Sequence, residues 1–284
     1  MKSAIRLLSL LLSLIAAGAS ADPGTLERIG KSGVIRLGYL ESAAPFSHAA
    51  SGKLPSGYSI DLCSRVADDL RAELKMPGLR TEWVKVTLQD RLQAVRDGRI
   101  DLECGTTTWT LSRQRDVDFS LMTFVDGGSL LVKLDAGLTR MAEFSGKRIA
   151  VVPGTTTAGA LSRELKRLGI EASVVPVADE RKAMAMLSAD DIDAYASDRL
   201  VLLGLALDSQ GRQAFRLIDE DFSIEPYALA LRRGDHDFRL AVNRSLARLY
   251  RSGDILKIYD AWLGNLGRPG LLLSSMYVLQ AIPE

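Results

Sequence analysis

Between Gly105 and Arg113 the chain reads Gly-Thr-Thr-Thr-Trp-Thr-Leu-Ser-Arg, a run of hydroxyls that leads to one guanidinium. If Ile100–Cys104 is a strand, Thr106 and Thr108 lie at its carboxyl end, where backbone N–H groups are free. Arginine presents a planar fork that matches both oxygens of a carboxylate. Thr106, Thr108 and Arg113 therefore make a carboxylate receptor. The same letters also fit a threonine-rich turn whose Arg113 pairs with Asp116 at the surface, and the pattern alone does not choose. A second polar turn, Gly154-Thr-Thr-Thr157, follows an apolar stretch and opens a helical pattern. The N–H groups and dipole of a helix start favour an anion, although the turn fits an ordinary helix cap equally well.

Motifs for catalysis are missing. Gly24-Thr-Leu-Glu-Arg-Ile-Gly30-Lys31-Ser32 has one residue too many between its glycines for a phosphate loop, and it precedes a strand. No Gly-x-Ser-x-Gly elbow, His-Glu-x-x-His or Gly-x-Gly-x-x-Gly occurs. With 2 histidines and 2 cysteines a Cys/His zinc cluster cannot be assembled, and no cofactor is expected. The 284 residues carry 36 Lys+Arg against 35 Asp+Glu, a net +1 that makes no case for nucleic acid. At 47% hydrophobic and 25% charged, the composition excludes disorder, collagen and coiled coil.

Lys2 and Arg6 precede an apolar run from Leu7 to Ala17, and Ala19-Ser-Ala21 follows. That is the pattern of a secretory leader cut after Ala21. The run is too short and too interrupted to span a bilayer, which takes about 20 apolar residues. Removing residues 1–21 takes away Lys2 and Arg6 and no acid, so 36 bases become 34 against 35 acids, a formal −1. Export puts Cys63 and Cys104 in an oxidising compartment. They read as one disulfide or as two buried thiols, with equal weight.

The elements that must carry these residues alternate. Val34–Tyr39, Thr81–Val86 and Ile100–Cys104 read as strands. Between them lie a helix striped by Ile60, Cys63, Val66, Ala67, Leu70 and Leu74, capped by Ser59, and a short helix marked by Leu88, Leu92 and Val95. The alternation restarts with strands Arg148–Val152, Ser173–Val177 and Ile192–Ala196. A helix striped by Leu161, Leu165 and Leu168 and ended by Gly169 lies among them, with a second over Lys182–Ser188. After strand Tyr227–Leu231 come two helices, one striped by Phe238, Val242, Ser245 and Leu249, the other by Ile255, Ile258, Tyr259 and Trp262. Two helices cannot build a third core. The fold is therefore α/β, with two lobes of mostly parallel sheet flanked by helices, the chain crossing between them twice. The cleft between them is the expected ligand site. The division is residues 22–126 and 229–284 for lobe 1 and 127–228 for lobe 2; residues 265–284 strap onto one of the two.

Six pieces occur in a telling order: Gly57-Tyr-Ser-Ile-Asp-Leu, Asp101-Leu-Glu-Cys-Gly-Thr-Thr-Thr, Leu111-Ser-Arg-Gln-Arg, Asp118-Phe-Ser, Gly146-Lys-Arg-Ile-Ala-Val and Pro153-Gly-Thr-Thr-Thr. Together, over residues 25–264, they resemble the periplasmic solute-binding proteins of amino-acid ABC transporters, extracellular family 3, in its glutamate/aspartate-binding branch. The resemblance implies the type II two-lobe periplasmic-binding-protein fold, a free amino acid as ligand, a transient membrane permease partner and a monomer. It implies that Arg113, with Thr106 and Thr108, holds the ligand's α-carboxylate, that Thr155 and Thr156 donate from the second lobe, and that Asp198 takes the ammonium. Arg91 falls where the branch holds a side-chain carboxylate. Tyr39 stands where it tends to have arginine, and Glu180 roughly where it has histidine, so a glutamine or asparagine ligand fits as well as glutamate or aspartate. The expectation is a binding protein and not an enzyme. Its rival is a periplasmic dehydratase for prephenate or arogenate on the same scaffold, which needs a general acid in the cleft. Glu41 and Glu180 are the candidates for that acid.

Overall fold

The computed structural model describes residues 24–208 and 214–284. The expected leader, residues 1–21, lies outside the described residues. In chain order the elements are α1 (Thr25–Ser32), β1 (Val34–Tyr39), β2 (Ser42–Ala43), β3 (Ser47–His48), α2 (Tyr58–Glu73), β4 (Arg80–Lys85), α3 (Arg91–Arg96) and β5 (Leu102–Glu103). Then come β6 (Val117–Lys133), β7 (Arg148–Val151), α4 (Thr156–Leu168), β8 (Ser173–Pro176), α5 (Glu180–Ser188), β9 (Ala194–Asp198), α6 (Arg199–Asp208) and β10 (Phe215–Leu217). The chain closes with β11 (Ser223–Arg232), α7 (His236–Ser252), α8 (Asp254–Leu263) and α9 (Leu271–Leu279).

The main sheet runs β4-β1-β5-β11-β6-β9-β7-β8, with β10 added to β6. On one side β1 pairs in parallel with β4 and β5; on the other β7 pairs in parallel with β8 and β9. The two parallel halves are joined by β6 and β11, antiparallel to each other from Val117/Arg232 to Gly128/Ser223. Register shifts near Tyr227 and Ala228 interrupt that ladder where it passes from one half to the other. Such irregularities bend and twist a strand, and here they fall on the pair of strands that connects the lobes.

Alternation along β6 decides which helices cover the second lobe. Leu130 and Val132 face a cluster with Leu161 and Leu165 of α4, whereas Leu131 faces Ala183 and Leu187 of α5 and Leu202 of α6. Successive strand side chains point to opposite faces, so one apolar run serves two layers. The first lobe has a single larger cluster, built by α2, α7 and α8 on β1, β5, β6 and β11. The C-terminal segment belongs to this lobe. Leu273, Met276 and Tyr277 enter its core, Tyr277 Oη lies 2.7 Å from Tyr58 Oη, and Gln280 accepts from the Met122 N–H at 2.7 Å.

Two local expectations need correcting. α2 starts at Tyr58, so Ser59 lies inside its first turn, not at the cap, and its hydroxyl donates to the Gly105 carbonyl at 2.8 Å. Gly57 admits the chain there at φ +136°, where a Cβ would stand 2.2 Å from the Phe46 carbonyl oxygen. Leu168, expected in the buried stripe of α4, is 41% exposed, because Gly169 at φ +66° ends the helix beside it. β6 is 17 residues long and runs through Gly127 and Gly128.

Candidate functional site

The lobes meet around a small cavity. Ala43, Leu88, Arg91, Thr106 and Thr108 line it from lobe 1, and Thr155, Thr156, Thr157, Glu180, Ser197, Asp198 and Val201 from lobe 2. Its volume of about 20 Å³ is room for roughly one water. The lobes are in contact around it. Gln89 Nε2 donates to the Ala178 carbonyl at 2.8 Å, Glu41 joins Lys85 at 2.5 Å and also Arg181, and Val201 of α6 packs into the lobe 1 cluster.

From lobe 1, Arg91 opens α3 and is 3% exposed. Its Nε donates to Thr107 Oγ1 at 2.7 Å and its Nη1 to the Leu88 carbonyl. Burial lowers the guanidinium's pKa, opposed by the charges of Glu103, then Asp198, then Glu180. Glu103, wholly buried, is pushed up by desolvation and pulled back by Arg91. Arg113 lies in a single 3-10 turn after the threonine loop and donates from Nη1 to the Thr108 carbonyl at 2.8 Å. Burial, with Arg91's charge next, lowers it to about 10. It is not paired with Asp116, which joins Arg96 at 3.4 Å instead.

From lobe 2, Asp198 ends β9 with both oxygens engaged. Thr157 Oγ1 donates to Oδ1 at 2.8 Å and Tyr227 Oη to Oδ2 at 2.6 Å. Burial, then the charge of Glu225, raises its carboxyl to about 6. Thr155 is the cap of α4: its Oγ1 accepts from the Ala158 N–H at 3.1 Å and donates to the Val152 carbonyl at 2.8 Å. Thr156, one residue on, is free of the cap, and its hydroxyl donates to Glu225 Oε2 at 2.7 Å.

Six of the eight residues expected at the site thus border one cavity: Arg91, Thr106, Thr108, Thr155, Thr156 and Asp198. Arg113 does not border it but donates to the carbonyl of Thr108, which does. Tyr39 is not brought in; at the end of β1 it packs, partly buried, against the lobe 1 core. Three polar residues here escape a sequence reading, Glu225, Tyr227 and Asp126, while Thr157 is legible only as part of the second polar turn. A buried acid in an otherwise apolar strand is a signal for Glu225, but a strand taken to begin at Tyr227 leaves it outside. Cys63 and Cys104 are joined by a disulfide with Cα atoms 6.1 Å apart. Among the described residues no group of His, Cys, Asp and Glu could hold a metal, and no helix is long and apolar enough to cross a membrane.

Comparison with known proteins agrees with this architecture. The chain is 33% identical over 256 residues to an L-glutamate/L-aspartate-binding protein of Pseudomonas aeruginosa, covering 88% of this chain and 84% of that one. A solved ancestral arginine-binding protein bound to glutamine superposes with a TM-score of 0.71 at 26% identity, over 82% of this chain and 98% of that one. An ancestral amino acid-binding protein, a precursor of cyclohexadienyl dehydratase, does so with a TM-score of 0.71 at 26% identity, over 84% and 99%. Residues 35–265 match the bacterial extracellular solute-binding proteins, family 3. A cleft closed between two parallel half-sheets on shared strands is the type II architecture of such receptors, and the chain belongs to that family.

Proposed function

We propose that this protein is exported to the periplasm by its leader, captures a free L-amino acid with an acidic or amide side chain between its lobes, and delivers it as a monomer to an ABC permease. Lobe 1 is residues 22–126 and 229–284 and lobe 2 is 127–228. Arg113, Thr106 and Thr108 hold the α-carboxylate, Thr155 and Thr156 donate from the other side, Asp198 takes the ammonium, and Arg91 meets the side chain. One observation carries this reading: the cavity at the lobe junction has the buried Thr106 and Thr108 on one wall, with Arg113 held on the Thr108 carbonyl beside them, and the buried Asp198 on the other. Those are complements of the two charged ends of an amino acid. Since both walls touch the ligand only when the lobes meet, binding shifts the lobes toward the closed form.

Thermal unfolding of the mature protein tests it, after unfolding and dialysis to strip carried-over ligand. An amino acid at 100 times its dissociation constant stabilises by about 2.7 kcal/mol. No response to any amino acid overturns the reading. The dehydratase alternative keeps one supporting observation, since Glu180 is a buried acid in the cleft whose carboxyl burial pushes up. Glu41, held low by its hydrogen bond with Lys85, lacks that property. Aromatic product from prephenate or arogenate would establish the enzyme.

A further inference from the structure

Glu180 heads α5 and is 7% exposed, yet no described side chain hydrogen-bonds or ion-pairs with its carboxylate; its own backbone N–H is its hydrogen-bond partner. It lines the same cavity as Arg91 without touching it. Arg91, for its part, uses Nε and Nη1 on Thr107 and the Leu88 carbonyl, which leaves Nη2 without an acceptor among the described residues. Leu88, Ala43 and Val201 supply apolar wall beside them. The cavity therefore holds two buried residues whose hydrogen-bonding capacity the described groups leave partly unused, Nη2 of Arg91 as donor and the Glu180 carboxylate, met only by its own backbone N–H, as acceptor. Burying such groups is costly unless something hydrogen-bonds to them.

Charge narrows what that something is. Arg91 already faces Glu103, Asp198 and Glu180. Arg113 adds a second base and Glu225 a further acid, so a ligand side-chain carboxylate would join a site where four acids already face two bases, and would set its lone pairs against Glu180. A cationic side chain would suit Glu180 but meet Arg91. A carboxamide is neutral and carries one acceptor and one donor on adjacent atoms. Its carbonyl oxygen takes the Arg91 N–H and its NH2 donates to Glu180.

Resting on the amino-acid-capture reading above, we infer that Glu180 sets the ligand specificity of this cleft, selecting a carboxamide side chain (glutamine or asparagine) over the corresponding acid. Like-charge contacts at a recognition surface discriminate strongly against the wrong partner, and a site built to hydrogen-bond a group rejects analogues that leave its buried groups unpaired.

The test is calorimetric titration of the stripped mature protein at pH 7.5 with L-glutamine, L-asparagine, L-glutamate, L-aspartate and L-arginine. The expected result is that the better amide binds at least tenfold more tightly than its acid counterpart. In Glu180→Gln that ratio falls at least tenfold, mainly because the acid binds better. Glu180→His, which adds a donor, does the same. An acid or arginine that binds the parent protein as tightly as the amide overturns the inference, as does an unchanged ratio in a variant that still binds. If a variant does not fold, the parent's ratio decides alone. Failure of every amino acid to bind overturns instead the capture reading on which this one rests.

Discussion

The hydroxyl oxygens of Thr108 and Thr156 stand 3.0 Å apart, although one belongs to the first lobe and the other to the second. Each also lies 2.7 Å from Oε2 of Glu225, whose Oε1 accepts from the Ser223 hydroxyl at 2.6 Å. Glu225 sits on β11, a strand both lobes share, so its carboxylate is a fixed point on which threonines from both jaws converge. Contact between the lobes is thus held in part by the protein's own groups.

Removing one hydroxyl from this junction should open the lobes. Thr156→Val keeps the shape of the side chain and leaves Glu225 with one donor fewer. Losing a hydrogen bond to a buried charged acceptor costs about 1.5–3 kcal/mol, roughly a tenfold or greater shift in population toward the open form. Small-angle scattering of the ligand-free protein should give a larger radius of gyration for Thr156→Val than for the parent. Equal radii would mean that the hydroxyls do not hold the lobes.

Tyr227 Oη lies 2.6 Å from Asp198 Oδ2 and 3.3 Å from Asp126 Oδ2, and a phenol has one proton to give. Burial, then the charge of Asp198, raises Asp126 to about 7. The groups around its carboxyl are the Gly127 N–H on β6, the Leu200 N–H on α6, Tyr227 on β11 and Asp198 on β9. An unfolded aspartate titrates near 3.9, so between about pH 4 and pH 7 the folded protein binds more protons here than the unfolded chain. Stability from this carboxyl is therefore complete below about pH 4 and is lost as pH rises through about 7. Relative to the parent, Asp126→Asn should be more stable at pH 7.5 than at pH 4.5 in urea unfolding. A difference between the two proteins that stays constant with pH would show that Asp126 ionises normally.

Much of this was legible from local pattern. Gly169 and the stripe of α4 mark a helix end because a left-handed residue is needed there, and the parallel units follow from alternation of strand and helix periods. The threonine turns were visible too, although an ordinary turn and a helix cap fit the same letters, and Thr155 does cap α4. What stayed hidden depends on approach through space. Glu225 meets Thr108 across 117 residues, a pairing that only the return of β11 beside β6 creates. The use of the glycines at 127 and 128, close approach of Asp221 and Ser223, likewise lies in another segment. Tyr39, placed by likeness to relatives at the ligand, lies instead against the core, since nothing local in a strand end fixes whether its side chain meets the cleft.

The disulfide ties the cleft to its scaffold, and its loss should be felt in melting. Cys104 follows β5, donates its N–H to the Gly38 carbonyl of β1, and immediately precedes the Gly105-Thr106 turn. Cys63 lies in α2, the helix whose Ser59 holds the Gly105 carbonyl from the other side. The two half-cystines are 41 residues apart, and closing a loop of that length removes unfolded-state entropy that the chain-entropy account puts at about 4 kcal/mol. Converted by the few degrees per kcal/mol usual for domains of this size, Cys63→Ala/Cys104→Ala should melt on the order of 10 °C lower. Reductant should lower the parent's melting temperature by a similar amount and leave the double variant where it is, because the variant has no bond left to break. If reductant shifts both proteins alike, the change comes from something other than this link, and the threonine turn does not depend on it.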